Sequence, residues 1–258
     1  MEIWAHRGLV MDSYIDGRCH QGNTMSDFKK AYDLGVHGIE TDVLFNKDGD
    51  LIVYHPGTLT PNPTDLSWPE ARKKHPDLLQ LGHLLSFLHS RPDLKCCLEL
   101  KQNSSRLAMK VAESVIYFEV EDQVFITAFQ DRKPILGLET DGKLLIDIKR
   151  AYPKIKTHLI SPFPFNLPLV AEEYRPDMIS FGWLDDSIIS KLFFNLAIRP
   201  WINLKQDIEI LHKKGVKVLG GITDDPNKIL YFKELGVDAV MTENAIVAFT
   251  LNLAPKRS

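Results

Sequence analysis

Cysteine is scarce: the 258 residues hold three, two of them adjacent at Cys96 and Cys97, which excludes both a disulfide framework and zinc-ligand spacing. The thiols read as free and the compartment as reducing. Dense Lys/Arg blocks are missing, and the net charge of −3 with a pI near 6.3 excludes a surface built for nucleic acid. No apolar run approaches the length of a membrane span, so no transmembrane segment is expected. The first apolar run, Ile3-Trp4-Ala5, is too short for a signal peptide. These absences together give the expectation of a cytoplasmic protein and leave its oligomeric state open.

What is present is core material, with 44% of the residues hydrophobic, and a regular alternation of elements. Strand-like runs fall at 2–5, 39–44, 95–100, 123–129, 156–160, 177–182, 216–219 and 237–241. Helical patterns fall between them near 25–35, 82–90, 105–118, 142–150, 168–174, 186–193, 205–214 and 226–235. Eight strands alternating with helices predict an α/β fold closed as a (β/α)₈ TIM barrel. The run 51–54 is expected as a local hairpin outside the barrel, and residues 9–23 as a loop. Residues 56–77 carry five prolines and read as an excursion after the second barrel strand. No linker divides the chain, which is taken as one domain, 1–258, with a small capping excursion at 56–94.

The barrel reading gives weight to polar residues at strand ends, because this fold does its chemistry at the carboxyl-terminal mouth. Glu40 and Asp42 are two apart on a strand and share a face, as do Glu99 and Lys101. His6 and Arg7 end the first strand, and the turn 46–50 folds His55 back beside the acidic pair. Three carboxylates make an oxygen-only ligand set suited to one divalent cation, Mg²⁺ or Ca²⁺. Arg7 and Lys101 beside them suit an anionic phosphoryl group. His6 and His55 supply a proton-transfer pair near neutral pH. Together these groups point to phosphodiester cleavage. His37 is expected on the helix side of its strand, His20 in solvent and His158 in packing rather than at the mouth. Phe129, Trp183 and Trp201 are read mainly as packing.

The sequence resembles the glycerophosphodiester phosphodiesterases, a family of barrels that share their architecture with phosphatidylinositol-specific phospholipase C. The resemblance is carried by His6-Arg7-Gly8, Asn23-Thr24 with Phe28 and Ala31, and Gly38-Ile39-Glu40-Thr41-Asp42-Val43. It continues through Lys47-Asp48-Gly49, Val53-Tyr54-His55 and Leu98-Glu99-Leu100-Lys101, with weaker echoes at Thr127-Ala128-Phe129 and 236–242. It implies hydrolysis of glycerophosphodiesters to glycerol 3-phosphate and an alcohol. His6 and His55 would be the general acid and base, and Glu40, Asp42 and Glu99 the metal ligands. Arg7, Lys101 and Asn23 would bind the small-molecule substrate. In the family a glycerol hydroxyl is thought to attack first, giving a cyclic phosphate that water opens.

Three positions depart from the family's pattern: Gly22 where a Glu is usual, Pro56 after the second histidine where an Asp is usual, and Gly220-Gly221-Ile222-Thr223 in place of an aromatic-Thr pair. The segment between His55 and Glu99 is also short for the family, which predicts a wider mouth. Two alternatives keep the same residues. One is lysophospholipase D-type cleavage of a lysophospholipid, and the other a catalytically inactive barrel that binds a phosphorylated ligand.

Overall fold

Alternation within each strand decides which side chains face the barrel axis and which face the helices. In Lys95–Leu100, Cys96, Leu98 and Leu100 join the large apolar cluster that also takes in the helices. Cys97 points the other way, into a second cluster with Trp4, Phe125, Met178, Leu219, Ala239 and Met241. The computed structural model describes residues 1–9, 22–130, 142–162, 164–182, 202–251 and 253, together with the backbone of 14–15 and 18–19.

Strands β1 (Glu2–Ala5), β4 (Gly38–Phe45), β7 (Lys95–Leu100), β8 (Val124–Phe129), β9 (Lys156–Ile160), β10 (Met178–Phe181), β11 (Lys217–Gly220) and β12 (Ala239–Thr242) form the ring. Each is parallel to its neighbour, in the order β1-β12-β11-β10-β9-β8-β7-β4, and β4 returns to β1. The closing seam pairs Ala5 with Thr242 on one side and with Ile39 on the other. Helices α1 (Met25–Leu34), α3 (Leu81–His89), α4 (Ser105–Tyr117), α5 (Lys143–Ala151), α6 (Leu167–Tyr174), α7 (Leu204–Lys213), α8 (Pro226–Leu235) and α9 (Ala245–Thr250) complete the α/β alternation. The eight-stranded parallel barrel agrees with the pattern read from the sequence. The expected helix at 186–193 lies outside the described residues, as do His20, Trp183 and Trp201.

Strand β5 (Leu51–Val53) extends β4 as an antiparallel hairpin, with Val43 opposite Val53 and Phe45 opposite Leu51. Two features were not expected. Tyr14–Ile15 (β2) and Arg18–Cys19 (β3) pair antiparallel inside the stretch read as a loop. The Pro-rich stretch contains a helix, α2 (Trp68–Lys74), which keeps Pro69 in its first turn, where the missing N–H costs nothing. Beside it Leu79–Gln80 (β6) pairs with β5. Leu44, Ile52, Tyr54, Ala71 and Leu78 give this region a small apolar cluster of its own, whereas Leu84, Leu85 and Leu88 of α3 belong to the main core.

The interior is filled rather than hollow. The Trp4 ring lies edge-on to Phe125 with centroids 6.1 Å apart. Gly38 faces that ring so closely that a Cβ would come within 2.3 Å of it. At the far end of the barrel Glu2 accepts from the Trp4 indole at 2.9 Å and pairs with Lys95. Polar groups are thus left for the opposite end.

Candidate active site

The parallel ladder continues one residue past β1, since the His6 N–H donates to the Thr242 carbonyl at 2.9 Å. The chain then turns sharply: Arg7 has φ 54° and Gly8 φ 83°. Gly8 is required there, because a Cβ would sit 2.8 Å from that of Asp27. This turn brings the incoming end of α1 against the strand end, with Leu9 N–H donating to the Asp27 carbonyl and Asn23 N–H to the Arg7 carbonyl. Thr24 and Asp27 form a capping box that fixes where α1 starts. Asn23 (φ 63°) is thereby aimed inward: its amide donates to Asp42 Oδ2 at 2.8 Å, and its carbonyl oxygen accepts from the Thr41 hydroxyl at 2.7 Å.

Register brings the carboxylates together. Asp42 of β4 stands opposite Glu99 of β7, and Glu40 lies one inward-facing step below Asp42. Glu40, Asp42 and Glu99 offer oxygens within 4.8 Å of one another, all buried. The Lys101 ammonium lies 2.5 Å from Glu99 and 2.9 Å from Asp42, and Arg7 Nε lies 3.4 Å from Asp42. His6 turns Nε2 toward Glu40 at 3.5 Å and Nδ1 toward Glu243 at 3.1 Å. The structure therefore gathers His6, Arg7, Asn23, Glu40, Asp42, Glu99 and Lys101 at one mouth.

Electrostatics in this cluster are unequal. Burial, then the charges of Asp42 and Glu99, push the Glu40 carboxyl well above its ordinary range. Burial also raises Glu99, with Lys101 opposing. Burial acts on Asp42 in the same direction, but Lys101 and Arg7 overcome it and bring the group to about 2. Burial works against the Lys101 charge, yet Glu99, Asp42 and Glu40 outweigh it and raise that pKa. Fully ionised, the three carboxylates would outnumber the two cations by one negative charge in a buried space, an imbalance that the raised pKa values of Glu40 and Glu99 answer. Glu40 Oε1 is buried and meets no donor among the described residues. An orphaned carboxylate oxygen within an oxygen-only cluster fits a hard divalent cation, which would relieve the repulsion that raises Glu40.

His55 follows β5 and is half-buried beside the cluster. Burial lowers its pKa to about 4, with Asp42 opposing and Arg7 and Lys101 adding to the drop, so it lies within electrostatic reach of all three. Burial also lowers His6, and the hydrogen bond its ring makes to the Glu243 carboxylate opposes this. Both shifts favour the neutral imidazole. A cleft of about 1190 Å³ opens from Asn23 and His55, between the start of α1 and the Pro-rich excursion. Gly22 lines it with φ 73°, a backbone conformation that disfavours a Glu.

His158 does not reach the mouth. It is 1% exposed inside the barrel, with Nδ1 3.1 Å from the Thr127 hydroxyl and 3.3 Å from Cys97 Sγ. His37 accepts from the Ile3 N–H at 3.2 Å and serves the strand seam, as expected of a structural residue. Glu243 was not anticipated. The only sequence signal was its place directly after the eighth strand.

The sequence pattern of the glycerophosphoryl diester phosphodiesterase family matches residues 6–247. A glycerophosphodiester phosphodiesterase of Caldanaerobacter subterraneus subsp. tengcongensis is 26% identical, over 88% of this chain and 96% of its own length. One from Bacillus altitudinis is 25% identical, over 90% and 98%. Among solved structures, a glycerophosphodiester phosphodiesterase from Parabacteroides distasonis superposes with a TM-score of 0.72 at 16% identity, covering 97% of this chain and 96% of that one. An Oleispira antarctica phosphodiesterase, solved with the product sn-glycerol-3-phosphate, superposes at 0.69 and 16% identity, covering 98% and 97%. Because that match runs through seven of the eight barrel strands and every residue of the mouth, the chain belongs to the glycerophosphoryl diester phosphodiesterase family.

Proposed function

We propose that the protein hydrolyses glycerophosphodiesters to glycerol 3-phosphate and an alcohol, with one divalent cation, Mg²⁺ or Ca²⁺, held by Glu40, Asp42 and Glu99. The observation that carries the reading is the buried carboxylate triplet with an unpartnered Glu40 oxygen, flanked by Arg7 and Lys101. The product named for the Oleispira antarctica neighbour is of the same chemical class. A cation in that place supplies charge neutralisation at a non-bridging phosphoryl oxygen.

The chain's own residues do the rest. Arg7 presents a planar fork of donors that matches two phosphate oxygens. Lys101 adds a second positive charge and holds Glu99. Asn23 orients Asp42 and stands at the entrance of the cleft, where it can also meet substrate. His6 and His55 arrive from different strands, and burial favours the neutral form of each. One accepts the proton of the attacking glycerol hydroxyl, and the other, protonated from solvent, delivers that proton to the departing alkoxide; water then opens the cyclic phosphate with the two roles exchanged. The cleft beside His55 takes the alcohol. We place this activity in a reducing compartment, the cytoplasm, because the buried Cys96 and Cys97 are unbridged.

The cleft also favours a second reading, lysophospholipase D-type cleavage, since Met25 on the α1 side and Val53, Leu59 and Leu78 across from it add apolar lining. Purified protein incubated with glycerophosphocholine, glycerophosphoinositol or a lysophospholipid, with Mg²⁺, Ca²⁺ or excess chelator, separates the cases by product mass. Glycerol 3-phosphate is expected from the diesters, and chelation is expected to abolish it. Turnover of the lysophospholipid alone would establish the second reading. Cleavage of none would leave a barrel that only binds phosphorylated ligands.

A further inference from the structure

Glu243 touches one of the two imidazoles from outside the carboxylate triplet. Its Oε1 lies 3.1 Å from His6 Nδ1. A carboxylate there can only accept, so Nδ1 carries the hydrogen, and in the neutral ring that burial favours Nε2 keeps its lone pair toward the site, 3.5 Å from Glu40. Exposed glutamates usually wander among rotamers, but the backbone beneath this one is fixed. Asp224 Oδ1 accepts from the Glu243 N–H at 2.9 Å, the Asn244 N–H at 2.9 Å and the Thr242 hydroxyl at 2.5 Å. Asp224 follows β11, and Thr223 beside it donates its N–H to the Met241 carbonyl at 3.1 Å. The loops after the last two strands are thereby laced into one support, and His6 itself is bonded through its N–H to Thr242.

We infer that Glu243 is a positioning residue for His6: it selects the Nδ1–H tautomer and the ring orientation that point Nε2 at the reacting phosphoryl group, and Asp224 holds it in place. The kinetic part of this inference rests on the diesterase reading above. A neutral imidazole in the wrong tautomer presents a donor where proton acceptance needs a lone pair, so losing the selection costs rate rather than substrate affinity.

The test uses full-length wild type, Glu243→Gln, Glu243→Ala, His6→Ala and the double variant His6→Ala/Glu243→Ala. Nitrogen-15 NMR of histidine-labelled protein is expected to show His6 as the Nδ1–H form in wild type and as a mixture of tautomers in Glu243→Ala, with Glu243→Gln between them. Because Glu243 is exposed and acts only through His6, its contribution falls at or below the lower end of the roughly 10²–10⁴-fold of acid–base catalysis. For glycerophosphocholine, kcat is expected to fall about 10- to 100-fold in Glu243→Ala, with KM within about twofold and an unchanged melting temperature. A nitrophenyl diester of glycerol 3-phosphate keeps the slow variants measurable. On it, Glu243→Ala is expected to cost nothing further once His6 is gone. An unchanged tautomer in Glu243→Ala, an unchanged kcat, or an equal loss in the His6→Ala background would each overturn the inference. A wild type inert toward every diester would instead overturn the diesterase reading and the kinetic role with it, while the tautomer spectrum still decides the hydrogen bond.

Discussion

Replacing Lys101 by Met tests the charge balance at the mouth without removing any carboxylate. The ammonium is 16% exposed and sits 2.5 Å from Glu99 and 2.9 Å from the fully buried Asp42. Without it, one guanidinium faces three carboxylates, and the surplus of the fully ionised cluster grows from one negative charge to two. Breaking a buried ion pair by removing one partner costs about 3–5 kcal/mol. The lower end applies here, because Glu40 and Glu99, already raised, can take up a proton. About 3 kcal/mol corresponds to a fall in melting temperature of about 6–12 °C for a chain of this size. Thermal unfolding followed by circular dichroism, in chelator and then in millimolar Mg²⁺ or Ca²⁺, reads the effect. The gap between wild type and variant is expected to be widest in chelator. It should narrow when the cation is present, since binding to the folded state alone stabilises it and the more negative cluster binds a cation more strongly. A gap below about 2 °C in chelator, or one of equal size with and without cation, would refute the reasoning.

Arg7→Lys keeps the charge and loses the fork; kcat/KM for glycerophosphocholine is expected to drop at least about tenfold, and a value near wild type would remove Arg7 from the phosphate clamp. His158 gives a pH dependence of stability. Burial holds its pKa at about 3 against an unfolded value of about 6.5, so the unfolded chain takes the proton first. Stability from the neutral imidazole is complete above pH 6.5 and is lost progressively toward pH 3, about 2 kcal/mol of it by pH 5. Urea unfolding of wild type and His158→Gln at pH 7 and pH 5 checks this, with the variant expected to lose less on acidification. Equal losses would show that the imidazole is not the group responsible.

The ring was legible because each strand carries its own alternation, and because Gly35 and Gly236, both left-handed, end helices where a sequence reader looks for a stop. The carboxylates were legible for the same geometric reason: Glu40 and Asp42 occupy a period-two pattern that burial alone does not explain. Asn23 came through the resemblance, since nothing in its neighbourhood foretells the 2.8 Å bond to Asp42. Helix α2 was hidden by the count of prolines around it. Its signal was a capping box, in which Ser67 N–H and hydroxyl both donate to the Glu70 carboxylate at 2.9 and 2.6 Å. Glu243 was illegible because its relevance lies in a partner 237 residues away, and an acid after a strand is ordinarily a solvated one.

The seam at which β12 meets β1 and β1 meets β4 has a consequence for synthesis. His6 leaves the ribosome 236 residues before Thr242, whose carbonyl receives its N–H. Until β12 emerges, β1 lacks one of its two flanking strands, and its edge stays open to other chains. The mouth can be completed only after β12 has been made and the ring has closed. Turnover in a translation reaction should therefore start in step with protection of the β1 amides from exchange, and a nascent chain stalled before β12 should carry every residue of the carboxylate triplet without an assembled site.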